Sequence, residues 1–160
     1  MREVFITDWQ KANIPGVRFA SVEQQNTYRE DYFTCTPMPL KTRIHSDEVV
    51  CGILHGWHHT PVFRIWETHA DAETFYYFHG TALMPFCDLK DGKPDLSTAG
   101  IVRIPAGVQV EVAAGKAHFV AVAEDDKFSC LCYCPDQSAD RVLAEEPLVG
   151  VYAQEGGEQK

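Results

Sequence analysis

From about residue 40 to residue 134 the chain is cut into short runs of β-branched and aromatic residues, each closed within a few positions by glycine, proline, aspartate or serine. Strands are expected at about 40–45, 49–55, 62–69, 73–79, 81–86, 100–104, 107–112, 116–123 and 127–134. No long stretch carries a 3.6-residue apolar period, so a helical core is excluded and an all-β barrel or sandwich is left. At 160 residues the chain is a single domain that can bury a core without disulfides or a structural metal. Residues 1–30 read as an irregular N-terminal segment, with a short helical turn near Thr7–Asn13 and a break at Pro15-Gly16. The run Asp88–Ser97 reads as the chief loop, 136–144 as a late minor helix, and 156–160 as a frayed tail.

Within that pattern one set of residues carries chemistry. In the strand ending Trp66-Glu67-Thr68-His69, residues two apart share a face, so Glu67 and His69 point the same way. The link Ala70-Asp71-Ala72 is long enough for a tight turn, and a second strand from Glu73 to His79 then lies alongside and stops at Gly80. Gly115-Lys116-Ala117-His118 opens a later strand that can deliver an imidazole to the same point. Two buried carboxylates facing each other would repel or share a proton, and a cation removes that cost. Glu67, His69, Glu73 and His118 are therefore the expected metal ligands, for a divalent transition ion (Zn, Mn, Fe or Ni). A hydrogen-bonded polar core is the competing reading.

This spacing resembles the cupin superfamily. Its first motif reads H-x-H, then a glutamate three or four residues on, then a glycine after six more, and its second reads P-x-G-x-x-H. Here Glu67 stands for the first histidine, His69, Glu73 and Gly80 match, Gly115 and His118 match, and Ala113 replaces the proline. The resemblance implies a cupin-type jelly-roll β-barrel. Within cupins the order Glu67-Thr-His69, Lys93-Pro-Asp-Leu-Ser-Thr98, Gly107-Val-Gln109 and His118 looks most like the ureidoglycolate lyase (ureidoglycolate hydrolase) family, over roughly the middle half of the chain. That family typically has glutamine where this chain has Glu73, and Trp-His-x-Pro where it has Ala117-His118-Phe119-Val120.

The resemblance implies a metal-dependent enzyme on a small hydroxy- or keto-acid, splitting ureidoglycolate into glyoxylate and urea. Glu67 or Glu73, whichever does not ligate, is then the catalytic base. The alternative is a non-catalytic cupin that binds a small metabolite or metal. Gln109 and Glu111 share a strand face, which makes them candidate substrate-binding residues or a solvent-facing edge. His79 and Tyr77 share the parity of Glu73 and are candidate pocket residues. Cupins commonly dimerise, so a homodimer is expected.

Six cysteines without an export signal are expected to be reduced thiols. Cys130, Cys132 and Cys134 fall on one strand face, where small buried apolar side chains are a better reading than a soft-metal site. His58-His59 reads as an exposed turn. With 23 acidic against 14 basic residues the net charge is −9, which excludes nucleic acid and anionic membranes as partners and leaves a small anionic metabolite met by a local cation. No apolar run approaches the ~18 residues of a membrane span. Residues 1–15 lack a signal-like apolar core, and a cytoplasmic protein is expected.

Overall fold

Alternation along the strands builds two cores that share a wall. The computed structural model describes residues 1–134 and 139–153. In chain order its strands are β1 (Arg2–Asp8), β2 (Val17–Ser21), β3 (Tyr28–Glu30), β4 (Phe33–Cys35), β5 (Val50–Trp57), β6 (Val62–Thr68), β7 (Glu73–His79), β8 (Thr81–Lys90), β9 (Lys93–Pro105), β10 (Val108–Val112), β11 (Ala117–His118), β12 (Val122–Ala123), β13 (Lys127–Cys134) and β14 (Asp140–Val151). Among the described residues the only helical element is a 3-10 turn at Gln24–Asn26, so no helix is long and apolar enough to cross a membrane.

One sheet runs β11-β6-β14-β1-β9-β8-β12, and because β11 also pairs with β8, six of its strands close into a ring. The other runs β2-β10-β7-β13-β5. Neighbouring residues of the ring strands point to opposite sides. Trp66, Leu83, Ile101, Ala117 and Leu148 pack in one cluster. Met84, Phe86, Val102 and Ile104 pack with Phe75, Tyr77, Val110 and Phe128 of the second sheet in the other. The result is a jelly-roll β-barrel, with the space between the sheets as the place a site can form.

Several expectations are corrected. Residues 1–30 are not irregular: Val4 and Ile6 of β1 face a core while Phe5 is exposed, and β1 lies parallel to both β14 and β9. The turn after it is present, with the Lys11 and Ala12 amides donating to the Asp8 carbonyl. Asp88–Ser97 is not a loop but the end of a hairpin, in which Asp91 (φ 53°) and Gly92 (φ 74°) make the two-residue turn between Lys90 and Lys93. Where a late helix was expected, residues 140–144 are strand, because pairing of Arg141 with Glu67 and Val142 with Trp66 overrides their helical propensity; 136–138 and the tail 156–160 lie outside the described residues.

No strand forms at 40–45. That segment is held instead by side chains on the outer face of the second sheet. Gln109 accepts from the Leu40 amide (2.8 Å) and donates to its carbonyl (3.1 Å), Arg18 donates to the Lys41 carbonyl (3.1 Å), and Thr42 donates to Glu111 (2.6 Å). The Asp71 carboxylate takes the His45 and Ser46 amides. Gly80 closes the β7–β8 turn at φ 68°, where an added Cβ would stand 2.0 Å from the Lys127 carbonyl oxygen.

Candidate metal centre

β6, β7, β11 and β13 bring the site together. His118 pairs directly with Glu67 across β11–β6. Since Trp66 and Ala117 face the ring interior, Glu67 and His118 face the second sheet, where Glu73 begins β7. One ligand atom each from Glu67, His69 and His118 lie within 4.8 Å of one another. His118 Nε2 is 2.8 Å from Glu73 Oε2, and His69 Nε2 is 3.4 Å from the same oxygen. The two imidazoles lie 5.5 Å apart between centroids. The four side chains thus meet between the sheets, outside the six-strand ring.

The hydrogen bonds test whether the donors suit a cation. His118 Nδ1 lies 3.0 Å from the Lys116 carbonyl, which can only accept, so Nδ1 carries a proton. A neutral ring then turns a lone pair at the Glu73 carboxylate, which is repulsive unless a proton or a metal ion sits between them. An imidazole fixed by donating its far N–H to a backbone carbonyl is the arrangement of a metal ligand. His69 Nε2, buried and out of line for a hydrogen bond to Glu73, has no hydrogen-bond partner among the described residues. Burial alone would push the His118 pKa down, but the Glu73 carboxylate outweighs it and raises it; burial alone would raise Glu73, and its bonds to His118 and Cys132 bring it below the usual range. These residues fit a divalent cation.

A pocket of about 220 Å³ opens onto Glu67, Glu73 and His118. Its walls are mostly apolar, with Ile53, Leu54, Phe75, Met84 and Phe119. Tyr77 lines it too, buried, with its hydroxyl donating to Met84 Sδ at 3.3 Å. Arg141 stands at the rim: its Nε donates to Glu67 Oε2 at 3.3 Å, and its guanidinium lies 5.9 Å from the Phe119 ring centre.

Four candidate residues do not line this pocket: His69, which meets Glu73 beside it, and Gln109, Glu111 and His79. Gln109 and Glu111 point to the outer face and bind the 40–42 segment; Val108, Val110 and Val112 take the inner face. His79 is exposed because the β7–β13 ladder is bulged: the consecutive Ser129 and Cys130 pair with His79 and Tyr77, leaving Phe78 as the extra residue and breaking the parity His79 shares with Glu73. His58 is exposed in its turn, with Nδ1 2.8 Å from the Glu124 carbonyl.

The sequence reading missed Arg141 and the thiols. No disulfide joins any of the six cysteines. Cys130, Cys132 and Cys134 do share a face, but it is the face of the site: Cys132 Sγ donates to Glu73 Oε1 at 2.9 Å, and Cys134 Sγ lies 3.5 Å from His69 Nδ1. Burial pushes Cys130 up to about 12, and burial with the Glu73 charge raises Cys132 further, so both are thiols.

No family model matches the chain, and no curated sequence matches it. Solved structures do. The dTDP-6-deoxy-D-glucose-3,5-epimerase RmlC of Legionella pneumophila, in complex with dTDP-4-keto-L-rhamnose, superposes with a TM-score of 0.56 at 10% identity, covering 86% of this chain and 76% of that one. RmlC of Streptococcus suis, in complex with dTDP-D-xylose, gives 0.49 at 14%, covering 78% and 66%. Oxalate decarboxylase of Bacillus subtilis gives 0.43 at 19%, covering 59% of this chain and only 23% of the decarboxylase. These are cupin-fold proteins, and the Legionella superposition shows the same fold here.

Proposed function

We propose that this chain is a metal-dependent cupin enzyme acting on a small hydroxy- or keto-acid, with ureidoglycolate as the first substrate to test. The observation that carries the reading is the His118 geometry: one ring nitrogen committed to the Lys116 carbonyl, the other turned on Glu73 at 2.8 Å, with both residues at the wall of a pocket and beside them a His69 Nε2 that has no hydrogen-bond partner among the described residues. Its volume, about 220 Å³, lies below the ~300 Å³ at which drug-sized ligand sites begin, which suits a small metabolite.

His69 and His118 with Glu73 would hold the ion. A bound divalent cation would polarise the oxygens of an α-hydroxy acid and lower the pKa of its hydroxyl. Arg141, already paired to Glu67 Oε2 at the rim, offers its remaining N–H groups to the substrate carboxylate. Glu67 is the base: with Oε2 held by Arg141, Oε1 takes the hydroxyl proton. The oxygen's electron pair then forms the carbonyl of glyoxylate, the carbon–nitrogen bond breaks, and the departing urea nitrogen takes a proton. The apolar walls, Phe75 and Phe119 among them, keep bulk water from competing for that proton.

The same apolar lining favours a second reading, a cupin that binds an acid with an apolar body and does no lyase chemistry. Elemental analysis of the purified protein beside an assay for glyoxylate released from ureidoglycolate separates the two. Metal with glyoxylate release supports the enzyme, metal without it supports the binder, and a protein that takes up no metal overturns both.

A further inference from the structure

We infer that the metal centre includes a sulfur ligand, Cys134, so that the ion it takes is a thiophilic divalent one such as zinc; this rests on the metal-site reading above. One ligand atom each from His69, Glu73 and Cys134 lie within 4.8 Å of one another, and all three side chains are buried. Cys134 Sγ meets the His69 ring at Nδ1 (3.5 Å), and Glu73 Oε2 lies 3.4 Å from Nε2 of the same ring, on a side chain only 8% exposed whose Nε2 has no hydrogen-bond partner among the described residues.

The placement follows from register. Cys132 pairs with Phe75 and Tyr133 with Thr74, so the next step of the β13–β7 ladder sets Cys134 beside Glu73. Directly opposed residues of an antiparallel pair share a face. Cys132 and Cys134 therefore flank the carboxylate, and they do different things. The Cys132 thiol donates to Glu73 Oε1 and leaves Oε2 turned to the imidazoles, which makes it a positioning residue. Cys134 lies against His69 and is the ligand.

His69 belongs to this group and to the Glu67–His69–His118 group, so the two are claims on one ion. Charge and softness decide between them. A divalent cation with the Glu73 carboxylate and the Cys134 thiolate sums to zero, which a buried site tolerates, while the Glu67 charge is already met by Arg141. Thiolate is the softer donor and favours zinc-like ions over manganese or magnesium. On binding, the Cys134 proton leaves to solvent, so uptake at Cys134 releases a proton. Glu67 is thereby left free as the base of the proposed reaction.

The test is a titration of the metal-free protein with cobalt(II) alone, followed by absorption and by equilibrium dialysis. Sulfur-to-cobalt charge transfer in the near ultraviolet, lost in Cys134→Ser and kept in Cys132→Ser, supports the inference. The Cys134→Ser variant should also bind cobalt at least ~10-fold more weakly, since even outer partners of a metal ligand cost 10–100-fold when removed. Cobalt bound by the wild type without that band, or a band that survives in Cys134→Ser, overturns the sulfur ligand and leaves the metal site standing. No cobalt bound overturns both. Should Cys134→Ser fail to fold, the wild-type and Cys132→Ser spectra decide: a band kept in both supports the inference, and a band lost in Cys132→Ser overturns it.

Discussion

Replacing Glu73 by glutamine separates a metal centre from a structural ion pair, because the two readings predict opposite results. Glu73 accepts from Cys132 at 2.9 Å and faces His118 Nε2 at 2.8 Å. The His118 Nδ1 proton is already committed to the Lys116 carbonyl. A glutamine of the same shape can donate its amide to the His118 Nε2 lone pair and still accept from Cys132. His118 Nε2 and the Cys132 thiol, which Glu73 meets, then each keep a partner in the metal-free variant, and its unfolding free energy should stay within ~1 kcal/mol of wild type. Metal uptake should fail, because the anionic ligand is gone and the new amide caps the imidazole lone pair. A loss of at least ~100-fold is expected, equivalent to ~2.8 kcal/mol. Competition against a chelator gives the affinity, and urea unfolding of the metal-free proteins gives the stability. Had the pair been structural, removing one buried partner would cost ~3–5 kcal/mol in the metal-free protein and leave metal uptake unchanged. That pattern would refute the metal reading.

Gln109→Leu should destabilise the protein by ~2–3 kcal/mol, because three hydrogen bonds of a buried amide are lost and the Leu40 amide and carbonyl are left bare, with metal affinity unchanged; an affinity loss would return Gln109 to the site. Arg141→Met should weaken binding of small carboxylates such as glyoxylate ~10–100-fold by calorimetry, the loss of one charge-assisted hydrogen bond, while cobalt uptake persists. Burial alone would raise the Glu111 pKa, but the Arg18 and Thr42 hydrogen bonds hold it below 4.5, so its contribution to stability is complete above that value and lost as pH falls through the lower folded value. Urea midpoints of Glu111→Gln should accordingly fall less than those of wild type between pH 5 and ~3, and parallel curves would count against it. Gly80→Ala should cost more than ~2 kcal/mol in urea unfolding, since the left-handed backbone alone costs ~1–2 kcal/mol and the Cβ meets a carbonyl oxygen at 2.0 Å; a cost under 1 kcal/mol would show that the turn relaxes.

The parts of the fold legible in the sequence are those whose physics is local. Glu67 and His69 share a face by strand parity, Gly80 and Gly115 take the positive φ that only glycine adopts freely, and Asp91-Gly92 carries a hairpin turn that its neighbours Lys90 and Lys93 disguised as a loop. What stayed hidden depends on distant partners. β1 gains its place from Ile101 and Leu148, far along the chain, and β14 becomes strand only against β6. The 40–45 segment has strand-like residues, yet its hydrogen bonds go to the Gln109, Glu111 and Arg18 side chains and to no strand.

The site divides the same way, and β10 and β13 show why. Parity grouped Gln109 with Glu111 on one strand and Cys130, Cys132 and Cys134 on the other, and both groupings hold. Parity does not say which side a group faces. On β10 the three valines take the interior and send Gln109 and Glu111 outward. On β13 the bulge at Phe78 decides. Without that extra residue Cys130 would oppose Phe78, Cys132 would oppose Tyr76 and Cys134 would oppose Thr74, on the outer face of the sheet. With it, the cysteines fall in line with Tyr77, Phe75 and Glu73, and the same shift turns His79 out to solvent. A single inserted position in β7 thus both removes an imidazole that the sequence offered to the site and supplies the thiols that it did not.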